Sequence, residues 1–218
     1  MTSDLPRVLL TGFDPFGGET LNPSWEAVRR LDGEIVRGHR VFALQLPTCF
    51  GRSLRTLRAA LTRTTPDLVI CVGQAGGRSR LSLERVAINV DDARIADNAG
   101  RQPVDRPVVR GGPAAYFSTL PIKALLRALQ SAGLPAEISQ TAGTFVCNHV
   151  FYGLMHALRE APHVRGGFVH IPFLPEQAVA HAGAPSLALD AVVAGLRVIV
   201  DTALRTRRDA RVAAGTTH

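Results

Sequence analysis

The chain has 218 residues, 46% of them hydrophobic and 20% charged, which excludes a disordered polypeptide and suffices for one large core. Its net charge of +7 is spread thinly along the chain rather than gathered in one stripe, which argues against a nucleic-acid partner. The odd, sparse set of three cysteines indicates a reducing compartment, and no apolar run reaches membrane-spanning length. We expect one cytoplasmic domain over residues 1–218, with flexible ends at residues 1–6 and about 206–218.

Strand-like apolar runs recur from one end of the chain to the other. Several are almost continuously apolar, which is typical of strands buried on both faces. The predicted strands are residues 7–12, 41–46, 67–73, 85–90, 136–140 and 167–171.

Helical periodicity separates these strands. Pro23 after Asn22 predicts a capped helix start, and a second helix carries leucines at 54, 57 and 61. A third covers residues 122–129 and stops near Gly133, a fourth begins at about Cys147, and a fifth covers residues 189–200 with Ser186 as candidate cap. The alternation predicts a three-layer α/β/α sandwich around a mostly parallel, mixed, twisted sheet. Residues 91–118 have no strong period and indicate a functional loop or arm.

Common ligand and metal motifs are absent from the sequence. The Gly-rich turn at residues 12–18 matches neither the phosphate-loop nor the dinucleotide spacing, and the chain has no G-x-S-x-G and no H-E-x-x-H. His149 and His156 are seven residues apart with no acidic residue between them, so we interpret both as core or surface histidines. These patterns therefore predict neither a phosphate loop, nor a serine hydrolase of the G-x-S-x-G type, nor a histidine metal site.

The turn before the fourth helix carries the most reactive candidate. Cys147 falls at the predicted helix start, where the macrodipole and the free N–H groups favour a thiolate and an oxyanion. A small buried thiol is the alternative interpretation of this residue. Cys71 lies inside a buried strand and Cys49 in a loop with no helix start, so neither is a comparable candidate.

A thiol nucleophile needs a base and a group that orients it. His170 falls at the end of a predicted strand, where α/β folds place active sites, and its imidazole can take and return a proton. Glu84 is a candidate to fix the imidazole tautomer. Spacing alone does not establish that three residues so far apart in the chain meet.

Five stretches give the sequence a strong resemblance to one family. They are VLLTGFDPFGGETLNPSWEAV, GGRSRLSLERVAINVDDARIADN, YFSTLPIKALL, SQTAGTFVCNHVFYGLMHAL and FVHIPFLPEQ. Together they resemble the pyroglutamyl-peptidase I (pyrrolidone-carboxylate peptidase) family, over roughly residues 8–204. The order of ERVAINVDDAR and then GTFVCNHVFYG is the most specific feature.

The resemblance implies a cytosolic cysteine exopeptidase that removes an N-terminal 5-oxoproline from small peptides without metal or cofactor. It implies a triad of Cys147, His170 and Glu84, with Arg94 helping to hold the oxyanion. It also implies an apolar cage for the lactam ring, with backbone contacts from Gln74; the cage residues are Phe13, Phe16, Thr48, Ile95, Phe145 and Val146. A homo-oligomer, dimer or tetramer, is a further expectation from the resemblance. Ala96 and Gln140 depart from the family pattern, at positions where it has proline and asparagine.

Two other functions are compatible with the predicted fold. One is a nucleoside- or nucleotide-binding protein of phosphorylase-like fold, which rests on fold analogy alone. The other is a catalytically inert relative that acts as a binding protein. Reaction of Cys147 with an alkylating agent at neutral pH would distinguish an active thiol from an inert one.

Overall fold

The computed structural model describes residues 5–215, which contain nine strands and six helices. The strands are β1 (Arg7–Phe13), β2 (Ile35–Val36), β3 (His39–Leu46), β4 (Leu68–Gln74), β5 (Leu81–Glu84), β6 (Val86–Ile88), β7 (Ala115–Phe117), β8 (Ala136–Ser139) and β9 (Arg165–Ile171). The helices are α1 (Pro23–Arg29), α2 (Arg52–Thr64), α3 (Ile122–Ser131), α4 (Val146–Leu158), α5 (Pro175–Ala178) and α6 (Leu189–Arg205).

Seven strands form one mixed sheet in the order β2-β3-β1-β4-β9-β5-β8. The neighbours of β1 and β4 are parallel to them, β5 is parallel to β8, and β5 runs antiparallel to β9. The predicted mostly parallel, mixed sheet is therefore confirmed. The strands β6 and β7 form a separate antiparallel ribbon beside it.

Helices cover both faces of the sheet, which confirms the three layers. Helices α1, α3 and α6 share one core with alternate strand residues such as Leu10 and Ile70. Helices α2 and α4 share the other core with the intervening residues, such as Leu9 and Val69. Because consecutive side chains of a strand point to opposite faces, burial on both faces explains why β1 and β4 are almost continuously apolar.

Helix boundaries agree with the sequence signals at most ends. The side chain of Asn22 accepts a hydrogen bond from Ser24 N at 3.1 Å, as expected of an N-cap, and Gly133 follows α3 in the left-handed region at φ 72°. The prediction of Ser186 as a cap is wrong. Helix α6 begins after Ala188, and Ser186 instead forms a parallel bridge with Phe173.

The predicted strand at residues 85–90 is present as the shorter strand β6 (Val86–Ile88), but it lies in the small ribbon and not in the main sheet. The chain leaves the main sheet at Arg85, whose N–H still bonds Ser139 O at 2.9 Å and whose carbonyl accepts from Ser118 N. Strand β5, which the periodicity did not reveal, precedes this point, and β6 follows it in the small ribbon. The turn makes Glu84 the last residue of β5, and the functional site depends on that placement.

The irregular stretch and the chain end are held by isolated hydrogen bonds. Residues 91–118 contain only the short strand β7 and a bridge between Asp91 and Arg106. In the C-terminal segment, Asp209 accepts from Lys123 N and Ala124 N at the start of α3.

The flexible ends predicted from the sequence include residues 1–4 and 216–218, which lie outside the described residues. Within residues 5–215, no helix combines the length and apolarity that crossing a bilayer requires.

Candidate active site

Cys147 is the second residue of α4, as the sequence predicts for a helix start. Phe145 occupies the N-cap position and makes no side-chain hydrogen bond to the helix, so no capping side chain competes for the first N–H groups. The thiol is half-buried at the positive end of the helix dipole. This turn can therefore present both a nucleophilic sulfur and donors for a developing oxyanion.

The charge state of the thiol differs from the sequence expectation. Burial raises the pKa of Cys147 to about 12, the charge of Glu84 raises it further, and the charge of Arg78 opposes the shift. The helix start predicts a lowered pKa, whereas burial acts in the opposite direction. A raised pKa favours the thiol over the thiolate, so a proton acceptor has to be close by for the nucleophile to form.

His170 and Glu84 meet across the antiparallel pair of β9 and β5. His170 is registered with Ser82, and Glu84 lies two residues further along β5, so both side chains point to the same face. His170 Nδ1 lies 2.7 Å from Glu84 Oε1, and the two side chains are 5% and 0% exposed. Since an ionised carboxylate only accepts, the imidazole donates from Nδ1 and keeps Nε2 as its acceptor.

Gly73 of β4 leaves space for the sulfur of Cys147 on the same face of the sheet. Gly73 is the register partner of His170, and a Cβ built on it would lie 2.8 Å from Cys147 Sγ. The same Cβ would lie 2.8 Å from Phe168 Cζ, whose ring is 4.8 Å from that of His170 between centroids. The sulfur therefore occupies the space above the strand position next to His170. The structure thus brings Cys147, His170 and Glu84 to one face of the sheet.

Gly73→Ala is expected to damage the site without straining the backbone, because the φ of Gly73 lies outside the left-handed region. The added methyl group has to displace the sulfur or the Phe168 ring, and a displacement of about 1 Å can cost about 10²-fold in rate. We expect a large loss of kcat with an intact fold, measured by peptidase assay and thermal melting. Neither Gly167→Ala nor Gly77→Ala is a suitable control, because a Cβ on Gly167 meets Ser118 and Leu120, and Gly77 has a left-handed φ of +87° that strains any other residue. Unchanged turnover in Gly73→Ala would contradict this placement of the sulfur.

Three phenylalanines form a cluster beside Cys147. Phe145 lies 6.1 Å from Phe16 and 5.4 Å from Phe50 between ring centroids. Phe16 and Phe145 are partly exposed, whereas Phe50 is 3% exposed. Phe16 and Phe145 are among the cage residues that the resemblance implies, whereas Phe50 is not, because it lies in an ordinary loop pattern. Phe13 lies apart, 2% exposed, with its ring 6.4 Å from that of Phe168.

The remaining predicted binding residues lie on loops around this cluster. Thr48 is 3% exposed, and its N–H bonds Asp14 Oδ1 at 2.6 Å. Gln74 ends β4, and its Oε1 accepts from Gln177 at 3.2 Å. Val146 is buried and Ile95 partly buried, while Arg94 is exposed and its carbonyl accepts from Gln102 at 3.1 Å. The substrate-binding roles of these residues stay predictions.

The first turn of α4 fixes the arm that carries Arg94 and Ile95. Asn148 accepts from Ile88 N at 3.0 Å and donates to Ile88 O and Val90 O at 2.9 and 3.0 Å. The Thr144 hydroxyl donates to Asp92 O at 2.7 Å. The start of the nucleophile helix and the irregular arm therefore form one hydrogen-bonded unit, which periodicity could not reveal.

His149 is buried, as the sequence analysis predicts, and belongs to the same unit. Its Nδ1 lies 2.9 Å from Asp91 Oδ2, and its Nε2 accepts from Gly51 N at 2.9 Å. Its ring contacts the edge of Phe50 at 5.3 Å between centroids. The two bonds fix a neutral imidazole, so His149 positions the Phe50 loop and does not serve as a second base.

A thiol at a helix start, an imidazole with a free acceptor nitrogen and a buried carboxylate on one face of an α/β sheet define a thiol hydrolase. A family model described as pyroglutamyl peptidase matches residues 6–206, and the chain belongs to that family.

Relatives and solved structures agree with this assignment. The chain is 63% identical to pyrrolidone-carboxylate peptidase 1 of Ralstonia nicotianae, over 98% of this chain and 100% of the relative. It superposes on the crystal structure of pyroglutamyl peptidase I from Bacillus amyloliquefaciens with a TM-score of 0.93 and 52% identity, covering 96% of this chain and all of that one. For a mutant pyrrolidone carboxyl peptidase from Pyrococcus furiosus the TM-score is 0.89 at 41% identity, with 91% and 98% covered. The resemblance stated from the sequence is confirmed, and the phosphorylase-like alternative gains no support.

Proposed function

We propose that this peptidase hydrolyses the bond after an N-terminal pyroglutamyl residue, with Cys147 as nucleophile, His170 as general base and acid, and Glu84 as the group that orients the imidazole. The proposal is carried by one observation. Cys147 Sγ lies above Gly73, the strand neighbour of His170, while His170 Nδ1 is bonded to Glu84 at 2.7 Å. The thiol thus lies above the strand position next to the base, and the base has the carboxylate that orients it.

The reaction proceeds through a thioester. Nε2 of His170 takes the thiol proton of Cys147, and the sulfur attacks the pyroglutamyl carbonyl carbon, whose oxygen becomes the oxyanion. The N–H groups at the start of α4, with Arg94, stabilise that oxyanion. The intermediate collapses when the C–N bond breaks and the imidazolium gives its proton to the leaving amine. A water molecule that loses a proton to His170 then cleaves the thioester and releases free pyroglutamate.

The aromatic cluster supports selection for the lactam ring. The 5-oxoproline ring is small and uncharged and has no α-ammonium for a carboxylate to bind, so apolar packing and a few directed hydrogen bonds have to recognise it. Phe16 and Phe145 are the partly exposed rings beside the nucleophile, and Gln74 ends the strand that contains Gly73. Phe13, Thr48, Ile95 and Val146 complete the proposed cage.

The compartment and assembly of the protein are part of the proposal. The cysteines at 49, 71 and 147 are all free thiols, which suits the reducing cytoplasm. A dimer or tetramer of this chain follows from the family resemblance. Light scattering on the purified protein tests the assembly: a mass of one 23.3 kDa chain at working concentration contradicts it.

The direct test compares two fluorogenic amides of the same leaving group. We expect release of the fluorophore from pyroglutamyl-aminomethylcoumarin but not from prolyl-aminomethylcoumarin, which has the same ring with a charged amine in place of the lactam. Iodoacetamide should abolish the reaction, and saturating substrate should protect against it. Equal cleavage of both amides contradicts the proposed specificity, and cleavage that survives alkylation contradicts the thiol mechanism.

A further inference from the structure

The buried carboxylate of Glu84 carries more contacts than the triad requires. Its side chain is 0% exposed, and Oε1 receives hydrogen bonds from both His170 Nδ1 and Arg78 Nη1, each at 2.7 Å. Oε2 is buried and receives no hydrogen bond from residues 5–215. A carboxylate in this position stays ionised only if a cation compensates for its lost hydration. A neutral imidazole supplies a donor but no charge.

Arg78 supplies that charge from a loop that the mechanism does not use. It lies four residues beyond the end of β4, with its side chain 26% exposed. Its Nη2 donates to Thr141 O at 3.0 Å, in the turn that leads to Cys147. The guanidinium thus connects the carboxylate behind the base with the turn before the nucleophile. It also acts directly on the thiol, because its charge lowers the pKa of Cys147 against the effect of burial.

We propose that Arg78 is a positioning residue for the reaction, a fixed positive charge that keeps Glu84 ionised and sets the number of protons that the triad holds at neutral pH. The expected effect on peptide hydrolysis rests on the proposed function. The expected effect of Arg78 on the protonation of the triad does not. Arg78 acts through its ion pair with Glu84 and through its charge near the Cys147 thiol, and it has no assigned contact with substrate.

The charge of Arg78 determines in which direction the protonation of the triad changes when Arg78 is replaced. With Arg78 present, its guanidinium balances Glu84, so the Cys147–His170 pair can exchange one proton without net change. Without Arg78, the negative charge of Glu84 is uncompensated and favours a proton on the imidazole of His170 beside it. A protonated His170 cannot take the thiol proton, so activity should appear only at higher pH.

Other charged groups do not replace the missing cation: Arg94 is exposed and is not among the ion-pair partners of Glu84 within residues 5–215, which are Arg78 and His170. Cys147 of α4 and Cys71 of β4 are thiols, and burial raises the pKa of Cys71 to about 12. Glu137 of β8 is an acid whose Oε1 accepts from Ser82 Oγ at 2.7 Å. The two thiols and Glu137 can contribute only neutral or negative charge near Glu84.

The experiment compares Arg78→Met with the wild type and with Arg80→Met, which removes the same charge from an exposed position two residues away. Kinetics with pyroglutamyl-aminomethylcoumarin and iodoacetamide alkylation of Cys147 are both followed from about pH 5 to about pH 10. We expect the acid limb of both profiles to move up by at least about one pH unit in Arg78→Met, because an opposite charge at this distance has effects of that size. At neutral pH kcat/KM should fall at least about tenfold, with most of the loss in kcat. Arg80→Met should match the wild type.

Two more variants separate charge from structure. Arg78→Lys keeps the charge and should return the limb toward the wild-type position, even where kcat stays low because the bond to Thr141 is lost. Arg78→Gln is a second neutral variant that retains N–H donors, and melting curves identify which neutral variant is folded. An acid limb that stays in place in a folded neutral variant overturns the proposal, as does a uniform loss of rate at all pH values. The alkylation profile needs no peptide substrate, so it tests Arg78 even where the proposed peptidase activity fails.

Discussion

Cys147→Ala is expected to lower kcat/KM for a pyroglutamyl amide at least about 10⁴-fold, because no other group can form the thioester. The residual rate reflects substrate binding and the oxyanion donors alone. The loss should fall on kcat, while the variant still binds peptides that carry pyroglutamate. Substrate binding to the inactive protein, measured by calorimetry, and turnover of the amide check the two halves of this prediction.

Cys49→Ala provides the matched control for the choice of thiol. Cys49 lies in the loop before α2, not above Gly73 beside His170 where Cys147 Sγ lies, and burial raises the pKa of its thiol. Without that base beside it, Cys49 keeps its proton and does not compete as nucleophile. We expect this variant to keep its activity and its sensitivity to iodoacetamide. Full activity in Cys147→Ala would show that another residue is the nucleophile. Loss of alkylation in Cys49→Ala would show that iodoacetamide reacts with Cys49, and either result would contradict the mechanism.

Much of the fold was predictable because strands that are buried on both faces consist almost entirely of apolar residues. The apolar runs of β1 and β4 and the helical spacing in α3 and α6 each reflect local packing against one or two layers. Strand β5 was missed because its four residues merge into the run that follows, and only the turn at Arg85 divides them. The antiparallel direction of β5 depends on non-local pairing, which no local pattern encodes.

The candidate site was predictable where a residue's chemistry is unusual for its position. A cysteine at a helix start and a histidine at a strand end are both recognisable as candidates. The family resemblance then implied that they form a triad with Glu84. Arg78 did not stand out, because an arginine in a glycine-rich loop has the pattern of a solvated side chain. Asn148 and Asp91 were missed for the same reason. Their roles come from partners about sixty residues away in the chain.

His170→Ala is expected to lower kcat/KM about 10⁴-fold at neutral pH, comparable to the loss of the nucleophile, because the triad members act as one unit. The physical reason lies in the thiol. Burial raises the pKa of Cys147 to about 12, so without a proton acceptor the sulfur stays protonated at neutral pH. Alkylation by iodoacetamide should therefore slow at neutral pH and recover only in alkaline solution. In the wild type the imidazole accepts the proton, and alkylation proceeds at neutral pH.

Glu84→Gln and His163→Ala complete this comparison. Glutamine keeps the shape of Glu84 and an acceptor oxygen but not its charge, so the imidazole loses its negatively charged acceptor and Arg78 loses its ion pair, with an expected loss of about 10³- to 10⁴-fold. His163 is exposed in the loop between α4 and β9, and its replacement should leave turnover unchanged. Rapid neutral alkylation of Cys147 in His170→Ala would mean that the helix start alone ionises the sulfur. Cys147 would then need no base to become a nucleophile, and the role of His170 would reduce to protonating the leaving amine.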